Sequence, residues 1–173
     1  MPVTLRDARD SAADRAWIRA VYRDYLAELS ASKSGLFPTS GDWPGRDDDL
    51  LAGWFADPGA YPFVILLDGA RAGFALVVRP PAFPSRPVDF RLSDFFVVGP
   101  LRRRGVGAGA ATLLFTRFAG RWEVVEDEYN RSALAFWRRV IGHHTGGRYT
   151  EVRGSGEFCH RFSTTRHPEA PPS

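Results

Sequence analysis

The chain has 173 residues, close to the size of one average domain. Hydrophobic residues at 44% and charged residues at 25% are ordinary globular usage, which excludes a disordered or fibrous protein. A net charge of +3 favours an anionic ligand only mildly, and with Asp and Glu interspersed it does not by itself argue for nucleic acid.

Val3 to Ala8 reads as a first strand, followed by a helix from about Asp10 to Leu29. Along that helix Ile18, Tyr22, Tyr25 and Leu29 recur on one face. Ser30 to Asp47 is rich in Ser, Gly, Pro and Asp and reads as a loop, with a short helix around Asp48 to Phe55 after it. Phe63 to Leu67 and Ala72 to Val78 form a hairpin around Asp68-Gly69, residue types that supply the positive φ of a tight turn. Arg79 to Pro87 carries Pro80, Pro81, Pro84 and Pro87 and is a stiff connection. Its PxxP spacing would also suit an aromatic groove, although a rigid loop accounts for it.

Phe90 to Val98 is the next strand, Gly105 to Phe118 a helix, Trp122 to Val125 a strand and Ser132 to Ile141 a helix. Tyr149 to Val152 and Glu157 to Phe162 pair around Gly154-Ser155-Gly156. Residues 1–163 therefore read as one mixed α/β domain with hairpins and strand–helix–strand crossovers. Residues 164–173 lack an apolar anchor and are expected to form a disordered tail. No apolar stretch nears the ~18 residues of a membrane span, and Met1 to Asp7 lacks the layout of a secretory signal. Cys159 is the only cysteine, so no internal disulfide or cysteine-based zinc site is expected, and a reducing cytoplasm is the simplest home.

The stretch from Asp94 to Ala108 carries the most chemistry. A buried strand runs into a turn, and a glycine-bearing loop then opens an amphipathic helix whose expected apolar face is Val106, Ala110, Leu113 (with Leu114) and Phe118. The first N–H groups of a helix lack internal partners and sit at the positive end of its dipole. Gly105, Gly107 and Gly109 would let phosphate oxygens approach them, and Arg102, Arg103 and Arg104 add positive charge. The result is a pyrophosphate cradle. An ATP-type phosphate loop would need a Lys and then Ser or Thr, which are lacking, and the glycine spacing does not fit a dinucleotide fingerprint.

Arg102-x-x-Gly105-x-Gly107 resembles the (Gln/Arg)-x-x-Gly-x-(Gly/Ala) signature of the GNAT superfamily of N-acetyltransferases. Asn130-Arg131-Ser132-Ala133-Leu134-Ala135-Phe136-Trp137 resembles that superfamily's second motif, Asn-x-x-Ala-x-x-Phe-Tyr. Together they are similar to a bacterial group of predicted acetyltransferases, over Asp94 to Ile141. The resemblance implies a twisted mixed sheet of about six or seven strands with a splayed central pair, flanked by about four helices. It implies acetyl-CoA as co-substrate, bound in the splay without a metal. Main-chain groups of Phe96, Val97 and Val98 would pair with the pantetheine arm, and amides from Arg103, Arg104, Gly105, Val106, Gly107 and Ala108 would hold the pyrophosphate. Asn130 would hydrogen-bond the cofactor, and Phe136 and Trp137 would wall the cleft.

Direct acetyl transfer to an amine needs orientation, an oxyanion donor, a base and an acid for the departing thiolate. Val97 N–H is the expected oxyanion donor. Asp94 interrupts an apolar strand and is the candidate base; the alternative is a structural carboxylate that caps a turn or pairs with an arginine such as Arg91. Trp137 stands where many relatives have Tyr, and indole cannot protonate a thiolate. Tyr129, Tyr149 or water would then take that role. A thiol leaves readily enough that a dedicated acid is dispensable.

Other residues have simpler explanations. His143-His144 is explained by solvation, and Glu126, Asp127 and Glu128 by an exposed acidic turn, although they would also suit a cationic acceptor. Tyr22, Tyr25, Trp43 and Trp54 could line an acceptor pocket or, for the first two, pack in the core. Cys159 reads as a packed thiol. The first expectation is an N-acetyltransferase acting on a small-molecule or amino-acid-like amine, with no nucleic-acid or membrane partner; an exposed apolar rim would support a homodimer. The alternatives are a non-catalytic acyl-CoA-binding module of the same fold, or a nucleic-acid binder using Arg102 to Arg104. The last leaves the glycines unexplained.

Overall fold

The computed structural model describes residues 2–32, 46–81 and 87–165. Strands β1 (Val3–Asp7), β2 (Ala60–Leu67), β3 (Ala70–Val78) and β4 (Phe90–Val97) pair antiparallel in succession. β4 then pairs in parallel with β5 (Gly120–Asp127), and the hairpin of β6 (Tyr149–Gly154) and β7 (Glu157–Thr164) completes the order β1-β2-β3-β4-β5-β7-β6. The fold is the expected mixed α/β type, with seven strands and four α-helices among the described residues.

β2 and β3 are apolar nearly throughout because both of their faces are covered. Helices α1 (Ala12–Ser32) and α2 (Arg46–Ala56) cover one face, where Ile18, Tyr22, Leu51 and Trp54 pack on Val64, Phe74 and Phe96. Helices α3 (Val106–Arg117) and α4 (Arg131–Thr145) cover the other, where Leu114, Phe115, Trp137 and Ile141 meet Phe63, Trp122 and Phe162. The expected apolar face of α3 is shifted by a residue. Ala111, Leu114 and Phe115 are buried, whereas Leu113 is 39% exposed.

Both predicted hairpins are present. Asp68 and Gly69 take φ of 50° and 80°, and Ser155 and Gly156 take 53° and 79°, the paired positive values of a tight two-residue turn. Thr164 corrects the expected domain end. It is the last residue of β7 and is buried, its hydroxyl donating to Phe118 O at 3.0 Å and accepting from Trp122 Nε1 at 3.2 Å. Most of the expected tail, and parts of the 30–47 loop and of the proline-rich connection, lie outside the described residues.

Two features of β4 shape the site. Leu76 faces Asp94 while Val77 faces Leu92, so Ser93 is an extra residue, a β-bulge. It resets the strand's alternation. Phe90 and Leu92 enter the core under α3 and α4, but Phe96 enters the one under α1 and α2. The second feature is where β4 leaves β5. They pair only at Phe90–Trp122, Arg91–Glu123 and Leu92–Val124, and beyond that the two strands part.

Charged groups hold the paired base of this fork. Buried Glu123 takes Arg91 at 2.8 Å and Arg161 at 3.4 Å, tying β4, β5 and β7. Asp89 accepts from the Arg121 amide and guanidinium at 2.8–2.9 Å, and these hold its carboxyl down to about 2.

Close packing and charge pairing in this framework can each be tested by one substitution. A Cβ at Gly73 would lie 2.1 Å from the Phe96 carbonyl oxygen, a clash with backbone on the neighbouring strand. Gly73→Ala should therefore cost more than about 2 kcal/mol and lower the melting temperature by roughly 4–8 °C. Because the Asp89 pKa is depressed on folding, its stabilising effect is present above about pH 4 and is lost as pH falls towards about 2. Denaturant melts should show a shallower acid decline in Asp89→Asn than in the parent over that window.

Candidate active site

The fork opens into a cleft of about 1120 Å³, lined on one side by Ser93 to Val97 and on the other by Val124 to Asp127. The loop before α3, the first turn of α4 and the C-terminal half of α1 complete its lining. Both strands leave main-chain polar groups facing this space without a strand partner.

The anion cradle has the expected form. Gly105 caps α3 with φ +81°, a conformation open to glycine and strained for most other residues. Gly109 N–H donates to Gly105 O, whereas the N–H groups of Gly105 through Ala108 make no main-chain hydrogen bond. Gly105, Gly107, Ala108 and Arg103 line the cleft. Arg103 and Arg104 are exposed beside it, and the Val106 side chain is buried in the core, so only its amide could serve a ligand. A Cβ on Gly107 would come within 3.2–3.3 Å of the Phe136 ring and 3.6 Å of Phe95. Phe95 in turn stacks on Phe136 and meets Trp137 edge-on, so these rings form one wall.

The pantetheine assignments need revision. Val98 N–H donates to Ala72 O on β3, and antiparallel alternation turns the groups of Phe96 towards β3 as well. Of the three expected residues, Val97 alone presents its main chain to the cleft, joined there by Phe95 through the same alternation. The Val97 carbonyl already accepts from Arg102 Nε at 2.7 Å, which leaves its N–H as the free donor. Arg102 also reaches Glu28 of α1 at 2.7 Å and lies 5.3 Å over the Phe96 ring. It braces the loop against α1.

Asn130 lines the cleft as the N-cap of α4; its Oδ1 accepts from Ala133 N–H at 3.3 Å and its Nδ2 donates to Glu126 at 3.1 Å. Neither tyrosine expected as an acid reaches the cleft lining. Tyr129 is 66% exposed on the turn after β5, and Tyr149 starts β6 beside His160.

Asp94 lines the cleft and is not paired with Arg91, which is committed to Glu123. The bulge aims Asp94 at α1, where Tyr25 donates to its Oδ1 at 3.1 Å. Burial raises the Asp94 pKa, partly offset by hydrogen bonds from the Ser93 and Tyr25 hydroxyls. Burial, and then the neighbouring Asp94 charge, push the Tyr25 hydroxyl well above its ordinary value.

The acidic turn also differs from its expected form. Asp127 is buried, Glu126 is half-buried, and with Glu157 both line the cleft. Their spacing alone could not show that the strand would peel away and expose them there. His144 rests against Phe115, and burial together with Glu123 raises the Cys159 thiol. Among the described residues no group of three or more His, Cys, Asp or Glu is placed to hold a metal ion. No described helix is long and apolar enough to cross a membrane.

Comparison with known proteins agrees with this geometry. A model of the acetyltransferase (GNAT) family matches residues 18–143, and the chain belongs to that family. Its fold is similar to an acetyltransferase from Thermus thermophilus (18% identity, 94% of this chain and 97% of that one, TM-score 0.68). It is similar also to the yncA protein of Salmonella typhimurium, a putative acetyltransferase solved with its cofactor acetyl-CoA (18% identity, 100% and 99%, TM-score 0.64). An acetyltransferase from Agrobacterium tumefaciens shares 21% identity over 94% and 91% of the two chains, with a TM-score of 0.62. No curated protein matches the chain significantly.

Gly107→Leu should push the Phe136 ring aside and fill the cradle. Calorimetry should show acetyl-CoA binding weakened at least about thirtyfold, equivalent to roughly 2 kcal/mol, with little change in melting temperature.

Proposed function

We propose that the protein is an acetyl-CoA-dependent N-acetyltransferase acting on the primary amine of a small-molecule or amino-acid-like acceptor. One observation carries this reading. A single cleft is lined both by the loop whose amides at Gly105–Ala108 are unpaired and by a carboxylate, Asp94. The amides and Arg103 suit the diphosphate of coenzyme A. Val97 N–H, at the fork, would stabilise the oxyanion that forms when the amine attacks the thioester carbonyl.

Asp94 would take the proton from the attacking nitrogen. Burial raises its pKa towards that of a working base. The bond that breaks is carbon–sulfur, and the thiolate leaves to be protonated by water, since its low basicity requires no dedicated acid. Asp94, Glu126, Asp127 and Glu157 add negative charge to the cleft lining, which favours an ammonium over an alcohol or an acid as acceptor. A reducing cytoplasm fits a chain with one free cysteine.

Thiol release across an amine panel tests the reading. The parent should release coenzyme A with at least one amine, and Asp94→Asn should lower kcat by about 10²-fold or more with acetyl-CoA affinity unchanged. Tight acetyl-CoA binding with silence toward every amine would instead indicate a binding module.

A further inference from the structure

Tyr25 has no part in the sequence motifs, yet it meets the reacting carboxylate. It lies on the apolar stripe of α1, 69 residues before Asp94 in the chain. Its ring is held from three sides: edge-on to Phe74 at 5.4 Å, edge-on to Phe96 at 5.8 Å and tilted on Tyr22 at 5.6 Å. Tyr22 is itself locked edge-on against Trp54 of α2. A ring so confined has a fixed hydroxyl direction, and that hydroxyl donates to Oδ1 of Asp94.

We propose that Tyr25 is a positioning residue for acetyl transfer, its hydroxyl holding Oδ1 of Asp94 and so fixing the direction in which the carboxylate meets the acceptor amine. The inference rests on Asp94 acting as the base. Three observations converge on it. The Ser93 bulge turns Asp94 towards α1; the nearest strand arginine, Arg91, is drawn away by Glu123; and Tyr25 lines the same cleft. A neutral donor orients a carboxylate without the charge of a guanidinium, which would hold the acid ionised and weaken it as a base. The charged and titratable groups of the cleft around the pair are Tyr22 and Glu28 on α1, Glu126 and Asp127 on β5 and Glu157 on β7, with Arg102, paired to Glu28 and lying over the Phe96 ring, and Arg103 as its cations.

Tyr25→Phe removes the oxygen and keeps the ring, so the aromatic cluster and the fold persist. The sign of its effect is fixed. The hydroxyl lowers the Asp94 pKa, so its loss raises that pKa, and the base is protonated at higher pH than before. Carbon-detected NMR titration of the Asp94 carboxyl should show an upward-moved midpoint in Tyr25→Phe at unchanged melting temperature. With an amine accepted by the parent, kcat should fall about tenfold, the effect of one hydrogen bond. The acid limb of the rate profile should move to higher pH, and KM for acetyl-CoA should hold. In an Asp94→Asn background, Tyr25→Phe should have no further effect on kcat. An unmoved Asp94 titration, or an equal kcat loss in the Asp94→Asn background, overturns the proposal. The titration needs no acceptor, so silence toward every amine would sink the proposed reaction while the titration still decides whether the two groups are coupled.

Discussion

The structure depends on the point at which β4 lets go of β5. Two parallel strands that stop pairing midway leave N–H and C=O groups without partners, and each such group costs about 1–3 kcal/mol when buried and unmet. The chain tolerates this because the base of the fork is held on both sides. Glu123 takes arginines from β4 and β7, and Asp89 takes Arg121. Removing either Glu123 partner would leave a buried carboxylate less compensated, which is the costly way to break such a contact. The open half can then keep its edges for a ligand. In that view the hydrogen-bonding capacity missing from the sheet is the binding capacity of the site.

Much of this is legible in the residues. The Asp68-Gly69 and Ser155-Gly156 turns, the amphipathic face of α1 and the small residues opening α3 each follow from a local rule, and each is in place. The anion cradle is legible for the same reason, since helix-start geometry and glycine clearance are properties of neighbouring residues. The bulge is not. An inserted Ser93 leaves no mark on an alternating pattern that is already apolar on both sides, whereas the turning of Phe96 and Val98 towards β3 is ordinary antiparallel alternation. Tyr129 and Tyr149 lie close in sequence to the second motif, which is what recommends them as acids. The hydroxyl that reaches Asp94 comes instead from α1, and only packing across the sheet brings it there.

The charge distribution shows a similar division between local and long-range information. The arginines before α3 are adjacent in sequence, and their shared location needs no folding to infer. The carboxylates of the cleft come from β4, β5 and β7, and they gather only because folding brings the three strands together. Arg102 connects the two regions by reaching from the loop to Glu28 on α1 while holding Val97 O. An exposed pair of this kind adds little to stability by itself. Its effect is to keep the helix and the loop at a set separation across the mouth of the cleft.

The extra residue in β4 makes strand length matter more than residue identity at that point. Position 93 has an exposed side chain, so many replacements there should be accepted. Deleting it is another matter: Asp94 would then follow Leu92 in a regular ladder and keep its face, but the local bend and added twist that the bulge gives β4 where it parts from β5 would be lost. Anyone transplanting this segment into another scaffold must therefore copy its residue count before its letters.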